Sequence, residues 1–352
     1  MKNKLVVLSG CVLACSQAYA SSNVMIYGIT DAAITHVSDK NGEKSTELNS
    51  GNLNTSRLGF RGREDLGGGW SAIFNLEAGV SLDTGGIGSS SAFWNRQSWM
   101  GISSTTLGEL KLGFQRPSFY DIFGPLSHTP VFGSPSARVD GAGIAGSSLA
   151  RFNNTIGTTR YANSIKYNSP DLSGFKAHAF VALGEVQGSG RAGLTWNLGL
   201  NYKKDNLTAG ISYLTTKCKQ EEGCLHNQAD DKVTGIGLGY VIQGVRLNGI
   251  YTHQKNARNV RGNDADTFSI SASVPVKSWN LGLGYQMLND KTAIDQDVAQ
   301  INFSAVYNLS KRTALYTILA HQKVNNDGVA GISFLAAKDK QFQASFGIRH
   351  RF

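Results

Sequence analysis

Three arginines at alternating positions stand out first: Arg57, Arg61 and Arg63 share a parity with Gly59, while Leu58, Phe60 and Gly62 take the other. Strict alternation is the signature of a β-strand with two unlike faces. Like charges at such spacing repel unless carboxylates or passing anions screen them. Arg160, Ser164 and Lys166 repeat the arrangement opposite Ile165 and Tyr167. Arg96, in Asn95-Arg96-Gln97-Ser98-Trp99, is a third contributor, although it shares the parity of Met100 and needs a bulge to join the others. Cations presented from separate strands suit weak, exchangeable contact with anions.

Catalysis finds little support. The 7 histidines are dispersed, there is no Gly-x-Ser-x-Gly elbow, and no His and carboxylate group has metal-ligand spacing. Gly235, Gly237 and Gly239 lie inside an alternating strand with no helix after them, unlike a nucleotide loop. Neither an enzyme, a cofactor nor a metal is expected. Of 4 cysteines, Cys11 and Cys15 fall near the N-terminus; Cys218 and Cys224 stand in a Lys, Glu and Gln-rich loop. An oxidising compartment would join that pair in a disulfide; two free thiols are the alternative.

The elements that position these residues must be strands. Lys2 and Lys4, an apolar run from Leu5 to about Ala14 and the end Ala18-Tyr19-Ala20 have the order of a secretory signal peptide, so the expected division is a signal peptide over 1–20 and a mature chain over 21–352. A lipoprotein site at Val12-Leu13-Ala14-Cys15 is the rival reading. No other segment approaches 18 uninterrupted apolar residues, which leaves strands as the only route across a membrane. The composition, 41 Gly and 6 Pro with 12 Tyr and 16 Phe, is rich in strand and turn formers. The net charge of +9 favours acidic partners, but the basic residues are scattered singly and the chain is exported, so nucleic acid is not expected.

From Val24 to the end, sixteen alternating segments follow one another, and no second domain fits. Trp279, Leu281, Leu283, Tyr285 and Met287 oppose Asn280, Gly282, Gly284 and Gln286; Leu194 to Tyr202 and Ser71 to Val80 divide the same way. Short connections such as Asp65–Gly69, Ser104–Gly108 and Gln243-Gly244 alternate with longer polar ones near 37–54, 81–92, 117–158, 217–230, 257–264 and 324–339. Short turns at one end and long loops at the other are the rhythm of a sixteen-stranded antiparallel transmembrane β-barrel in the outer membrane. An arginine on its lipid face costs about 2–4 kcal/mol near the midplane, so the three arginines must face an aqueous interior.

The connection from Pro117 to Thr158 stands apart. Phe119, Tyr120, Ile122, Phe123, Phe132 and Phe152 supply enough apolar surface to fold it inward as a constriction loop; a mobile external lid is the alternative. At the end of the chain, Phe342, Ala344, Phe346, Ile348, His350 and Phe352 alternate with Gln341, Gln343, Ser345, Gly347, Arg349 and Arg351, as a closing strand requires.

The stretch Ser56-Arg57-Leu58-Gly59-Phe60-Arg61-Gly62-Arg63-Glu64-Asp65-Leu66-Gly67-Gly68-Gly69 resembles the signature of the general porins of β-proteobacteria. Met25–Ala32, Asn163–Pro170 and Leu309–Tyr316 are similar to that family's first, sixth and fifteenth strands, and the match is closest to its anion-selective members. The resemblance implies a homotrimer in outer-membrane lipid, passing small hydrophilic solutes, with the third loop folded into each lumen. It places an arginine ladder on Arg57, Arg96 and Arg160, a wall carboxylate on Glu77 and a loop carboxylate on Asp121; strand alternation by itself adds Arg61 and Lys166 as further basic lining. The terminal Phe352 resembles the recognition signal of the outer-membrane assembly machinery. One departure is that Gly113-Phe114-Gln115 stands where the family has Gly-Arg-Gln, so one expected cation is missing.

The mechanism expected is diffusion past Arg57, Arg96 and Arg160, with Glu77 and Asp121 restraining the arginine side chains. A surface receptor with a blocked lumen is the rival.

Overall fold

The computed structural model describes residues 22–88, 92–127, 159–219, 224, 226–332 and 334–352. The segment read as a signal peptide, together with Phe132 and Phe152, lies outside the described residues.

Period-2 patterning becomes one closed antiparallel sheet. Its strands are β1 (Ser22–Lys40), β2 (Glu43–Ser50), β3 (Arg57–Gly67), β4 (Trp70–Gly79), β5 (Gln97–Ser104), β6 (Gly108–Gln115), β7 (Tyr161–Asn168), β8 (Phe175–Ala182), β9 (Thr195–Lys204) and β10 (Leu207–Thr216). They continue with β11 (Asp231–Ile242), β12 (Val245–Lys255), β13 (Ala265–Val276), β14 (Trp279–Asp290), β15 (Val298–Asn308), β16 (Thr313–Val324) and β17 (Lys340–Arg351). Except for β2 and β3, which both pair with β1, each pairs with its sequence neighbour, and β17 returns to β1. These segments make sixteen staves, because β2 and β3 lie end to end along the same edge of β1. Between them Gly51–Ser56 turns inward, and the buried Asp31 carboxylate accepts from the Leu53 and Asn54 amides at 3.3 and 2.8 Å and from the Tyr316 hydroxyl at 2.7 Å.

Two expected external loops differ. Within 37–54, β1 runs on to Lys40 and returns as β2 through Asn41 and Gly42, whose φ values of 54° and 99° suit a tight hairpin turn. The 324–339 connection folds into the barrel mouth instead of standing outside: Ala330 and Ala336 are buried in one cluster with Ala257, Leu288 and Val298, and Ile332 is buried too. Buried glutamines make this possible, since Gln322 and Gln341 accept from the Gly331 and Ile332 amides at 2.5 and 2.6 Å.

The two faces of the sheet are chemically opposite. Ile236, Leu238, Leu283, Ile301 and Phe346 are exposed on the outside, whereas Gln286, Gln300, Asn302, Gln343 and Ser345 are buried inside. Outward aromatic pairs form two belts. Trp279–Tyr307 and Phe175–Tyr202 lie toward the short-turn end, with centroids 4.8 and 4.6 Å apart. Trp196–Tyr213 and Tyr251–Phe268 lie toward the long-loop end, at 5.2 and 4.8 Å. The ends meet where Phe352 and Gly28 exchange backbone hydrogen bonds of 3.1 Å, which closes the ring.

Candidate functional site

On β3, Arg57 points into the barrel beside Glu77 of β4, whose backbone pairs with Gly59 across the ladder. Arg57 Nη1 lies 3.6 Å from Glu77 Oε1, and Arg57 Nε donates to the Thr55 carbonyl at 2.8 Å. Arg96 Nε approaches the same Oε1 at 2.6 Å. The Tyr27 hydroxyl of β1 sits 3.0 Å from the other carboxylate oxygen and 2.9 Å from Asn75 Oδ1. One carboxylate thus orients two guanidinium groups, which satisfies it without leaving a lone buried charge.

The parity of Arg96 resolves without a bulge inside the strand. Arg96 occupies a bend before β5, its amide donating to the Glu77 carbonyl at 3.1 Å, so regular alternation begins only at Gln97. Arg160 likewise precedes β7, and its Nε donates to the Arg96 carbonyl at 2.7 Å. Here the expected alternation of Arg160, Ser164 and Lys166 is broken. Asn163 has φ 53° and the β6–β7 register shifts between Gly113 and Gln115, so Tyr161 rather than Ala162 shares the lumen face with Ser164. Tyr161 packs on Phe180 with centroids 5.6 Å apart. The three predicted arginines still converge, because two of them leave irregular backbone.

A fourth arginine joins them that the sequence reading missed. Arg116 follows β6 and lies close enough to Arg96 and Arg160 for mutual repulsion, with its guanidinium 4.0 Å from the Tyr120 ring centroid. Phe114, where the family pattern places a basic residue, has the outward parity of Leu110 and Leu112. The charge therefore returns two residues later, on the turn into the loop. Its signal in the sequence was Arg116-Pro117: proline ends the strand there and frees residue 116 from alternation.

The long connection begins with α1 (Ser118–Phe123), followed by a 3-10 turn at Gly124–Leu126. Phe119, Ile122, Phe123 and Leu126 are fully buried against the inner wall of β9–β12. Glycines make room for them. A Cβ on Gly235 would stand 2.7 Å from Phe123 and 2.8 Å from Phe119, one on Gly237 2.7 Å from Leu126, and those on Gly199 and Gly210 would strike Ile122. Asn197 Oδ1 accepts from the Phe119 amide at 2.6 Å. The alternating glycines of β11 are thus a floor for α1, and the inward folding expected of this loop holds for Phe119, Ile122 and Phe123; Tyr120 turns instead to Arg116.

Two predicted residues take other positions. Asp121 does not restrain an arginine: its carboxylate receives Lys166 Nζ at 2.7 Å, and Nζ also donates to the Arg116 carbonyl at 3.0 Å. Lys166 is buried by these contacts and tethers the loop to the wall, so it is not open lining. Arg61 lies outside the cluster. Four residues along β3 from Arg57 is about 13 Å toward the short-turn end, where its guanidinium stands 5.2 Å from the Tyr27 ring centroid. Cys218 and Cys224 are joined in a disulfide with Cα atoms 5.3 Å apart, far from the arginines in sequence.

Chemically, among the described residues Arg57, Arg96, Arg116 and Arg160 gather around the carboxylate of Glu77. The described barrel has an accounted partner for each hydrogen-bonding atom of Glu77.

Comparison with known proteins agrees with this picture. A family model described as Gram-negative porin matches residues 5–327. Outer membrane porin protein 32 of Delftia acidovorans is 31% identical over all of both chains. An outer membrane porin protein of Bordetella pertussis is 25% identical over 99% of this chain and 100% of its own. Among solved structures, the anion-selective porin from Comamonas acidovorans superposes with a TM-score of 0.78 at 26% identity, covering 94% of this chain and 100% of that one.

Proposed function

We propose, because the chain belongs to the Gram-negative porin family and forms an outer-membrane channel, that small anions pass preferentially beside the cluster of Arg57, Arg96, Arg116 and Arg160. The observation that carries this reading is the convergence of four guanidinium groups from separate segments of the chain on one side of the lumen. Arg57 and Arg96 share Glu77, while Arg116 and Arg160 stand close enough to Arg96 for mutual repulsion. A passing anion exchanges part of its hydration for these donors, and because no group encloses it, it leaves as easily as it enters. Glu77 keeps two guanidinium groups in place. Lys166 and Asp121 hold α1, whose body is set against the glycine floor, so this first part of the connection stays on the wall.

The similarity to an anion-selective porin supports the sign of the preference. The outward aromatic group Phe60, Trp94 and Phe93 supports homotrimeric contact on that side of the barrel, with neighbouring centroids 6.0 and 4.7 Å apart. Residues 1–20 serve in this reading as a cleaved export signal, leaving 21–352 as the porin barrel. The exposed Phe352 ends the closing strand, where the assembly machinery would read it. Reconstituted protein under a potassium chloride gradient should give a reversal potential favouring chloride, strongest in dilute salt. Equal permeation or potassium preference would overturn the anion reading; a silent bilayer would favour a closed barrel with the Ala330–Ile332 segment as its plug.

A further inference from the structure

The short-turn half of the lumen carries a second group of residues, about 13 Å along β3 from Arg57. Across the registers of β1, β3, β4 and β5, Met25, Arg61, Asn75 and Trp99 stand side by side in one row. The next row toward the short turns holds Arg63, Ile73 and Lys111. All share the inward parity of Arg57 and Glu77, since the intervening Ile26, Met100 and Leu112 are exposed on the lipid side. Side chains of the two rows, with Asp65 and Glu109, line a recess of about 670 Å³ in the inner wall, a size typical of small-molecule sites.

Charge is unevenly matched within this recess. Glu109 receives Lys111 Nζ at 2.6 Å and Arg63 Nη2 at 3.9 Å, and Asp65 Oδ1 accepts the Gly67 amide at 2.9 Å. Arg61 has no carboxylate within ion-pair distance among the described residues. Its guanidinium stands 5.2 Å from the Tyr27 ring centroid, with Nη2 3.1 Å from Met25 Sδ. Tyr27 is itself held by the bonds of its hydroxyl to Asn75 and Glu77, so the guanidinium rests on a fixed ring. Beyond Asn75 the Trp99 indole is fixed as well: Nε1 donates to Gln97 Oε1 at 2.6 Å, and Lys111 Nζ lies 5.0 Å from a ring centroid. Ile73 and the half-exposed Met25 extend this apolar surface on a wall that elsewhere meets water with amides and hydroxyls. Passage of small inorganic ions needs no such surface. A cation without an acid, two strand spacings or about 10 Å from an immobilised indole, suits a ligand that is anionic at one end and flat and apolar at the other.

We propose that this recess binds aromatic monocarboxylates, with the carboxylate on Arg61 and the ring against Trp99 and Ile73. The planar fork of a guanidinium pairs with a carboxylate through two parallel charge-assisted bonds, which fixes one end of the ligand. The indole then takes the ring in an offset or edge-to-face contact. Lys111, beside Trp99, adds positive potential where the ligand enters. The inference rests on the barrel being a water-filled channel, and it is independent of which inorganic ion the lumen prefers.

The test titrates benzoate calorimetrically into the full folded protein in neutral detergent, at neutral pH and about 0.1 M salt, where charges more than about 10 Å away are largely screened. Acetate, which lacks the ring, and benzamide, which lacks the charge, are titrated in parallel, and each should bind about tenfold more weakly than benzoate. Trp99→Ala should raise the half-saturating benzoate concentration about fivefold, and Trp99→Phe should restore most of the loss. Arg61→Gln should raise it about tenfold. Should the Gln variant not fold, Arg61→Lys serves, because it keeps the charge, loses the planar fork and should still weaken benzoate. Arg57→Gln with Arg160→Gln should leave the benzoate curve in place; if that variant abolishes saturation, benzoate sits at the four arginines and the proposal falls. Equal saturation of wild type and Trp99→Ala would overturn it, as would acetate matching benzoate. Calorimetry reads binding without current, so a reversal potential that favours potassium refutes the anion reading alone.

Discussion

Neutralising Arg57 and Arg160 together, as Arg57→Gln with Arg160→Gln, isolates the charge of the cluster from its scaffold. Arg96 keeps its 2.6 Å contact with Glu77, so the buried pair that organises the wall survives. An ion passing about 6 Å from a guanidinium in water feels about 0.7 kcal/mol, reduced to about 0.4 kcal/mol by screening at 0.1 M salt. The sign is opposite for chloride and potassium, so each lost charge lowers their permeability ratio about fourfold, and both together lower it a little over tenfold. At 1 M salt, where the Debye length is about 3 Å, the combined effect shrinks to about twofold. Reversal potentials across matched gradients at the two ionic strengths measure this directly. A double variant with the wild-type ratio in dilute salt, or with a loss of equal size at 1 M, would show that these charges do not act on the ions through water.

Removing the carboxylate should act in the other direction: Glu77→Gln leaves Arg57 and Arg96 without their shared acid, so chloride preference should rise about fourfold in 0.1 M salt while thermal stability falls by about 3–5 kcal/mol, and a fall in preference would contradict the charge count. Gly235→Leu places bulk where even a Cβ comes within 2.7 Å of Phe123, so α1 should be displaced at a cost of about 1–3 kcal/mol and single-channel conductance should change; unaltered conductance would remove α1 from the passage. Cys218→Ser opens a disulfide spanning 6 positions, which should lower stability by about 2 kcal/mol and speed tryptic cleavage after Lys217 with the chloride preference unchanged; equal cleavage of both proteins would show that the disulfide does not protect that site.

Much of the architecture was legible because a barrel wall separates two solvents. Each strand must be greasy on one side and polar on the other, so Trp279–Met287 and Phe342–Phe352 declare their faces without any tertiary information. The arginines of β3 were legible for the same reason, since hydrocarbon excludes them. Where backbone leaves regular alternation, parity stops carrying information. Arg96 sits on a bend, Asn163 shifts the register of β7, and Arg116 turns inward after the strand ends. Alternation counted from the sequence reached Arg96 only by supposing a bulge, passed over the shift at Asn163 and missed Arg116.

What the sequence determined by itself was the sheet, its closure and which face of each strand meets water, because these follow from local periodicity and the cost of charge in lipid. Which cations stand together was decided only by the fold. Arg61 and Arg57 share a strand face yet sit about 13 Å apart, whereas Arg57, Arg96, Arg116 and Arg160 meet across 103 residues of chain. Likewise Lys166 reads as one more basic wall residue until Asp121 and the Arg116 carbonyl enclose it. Electrostatic energy depends on distance in space, and only strand register and the inward path of α1 set those distances.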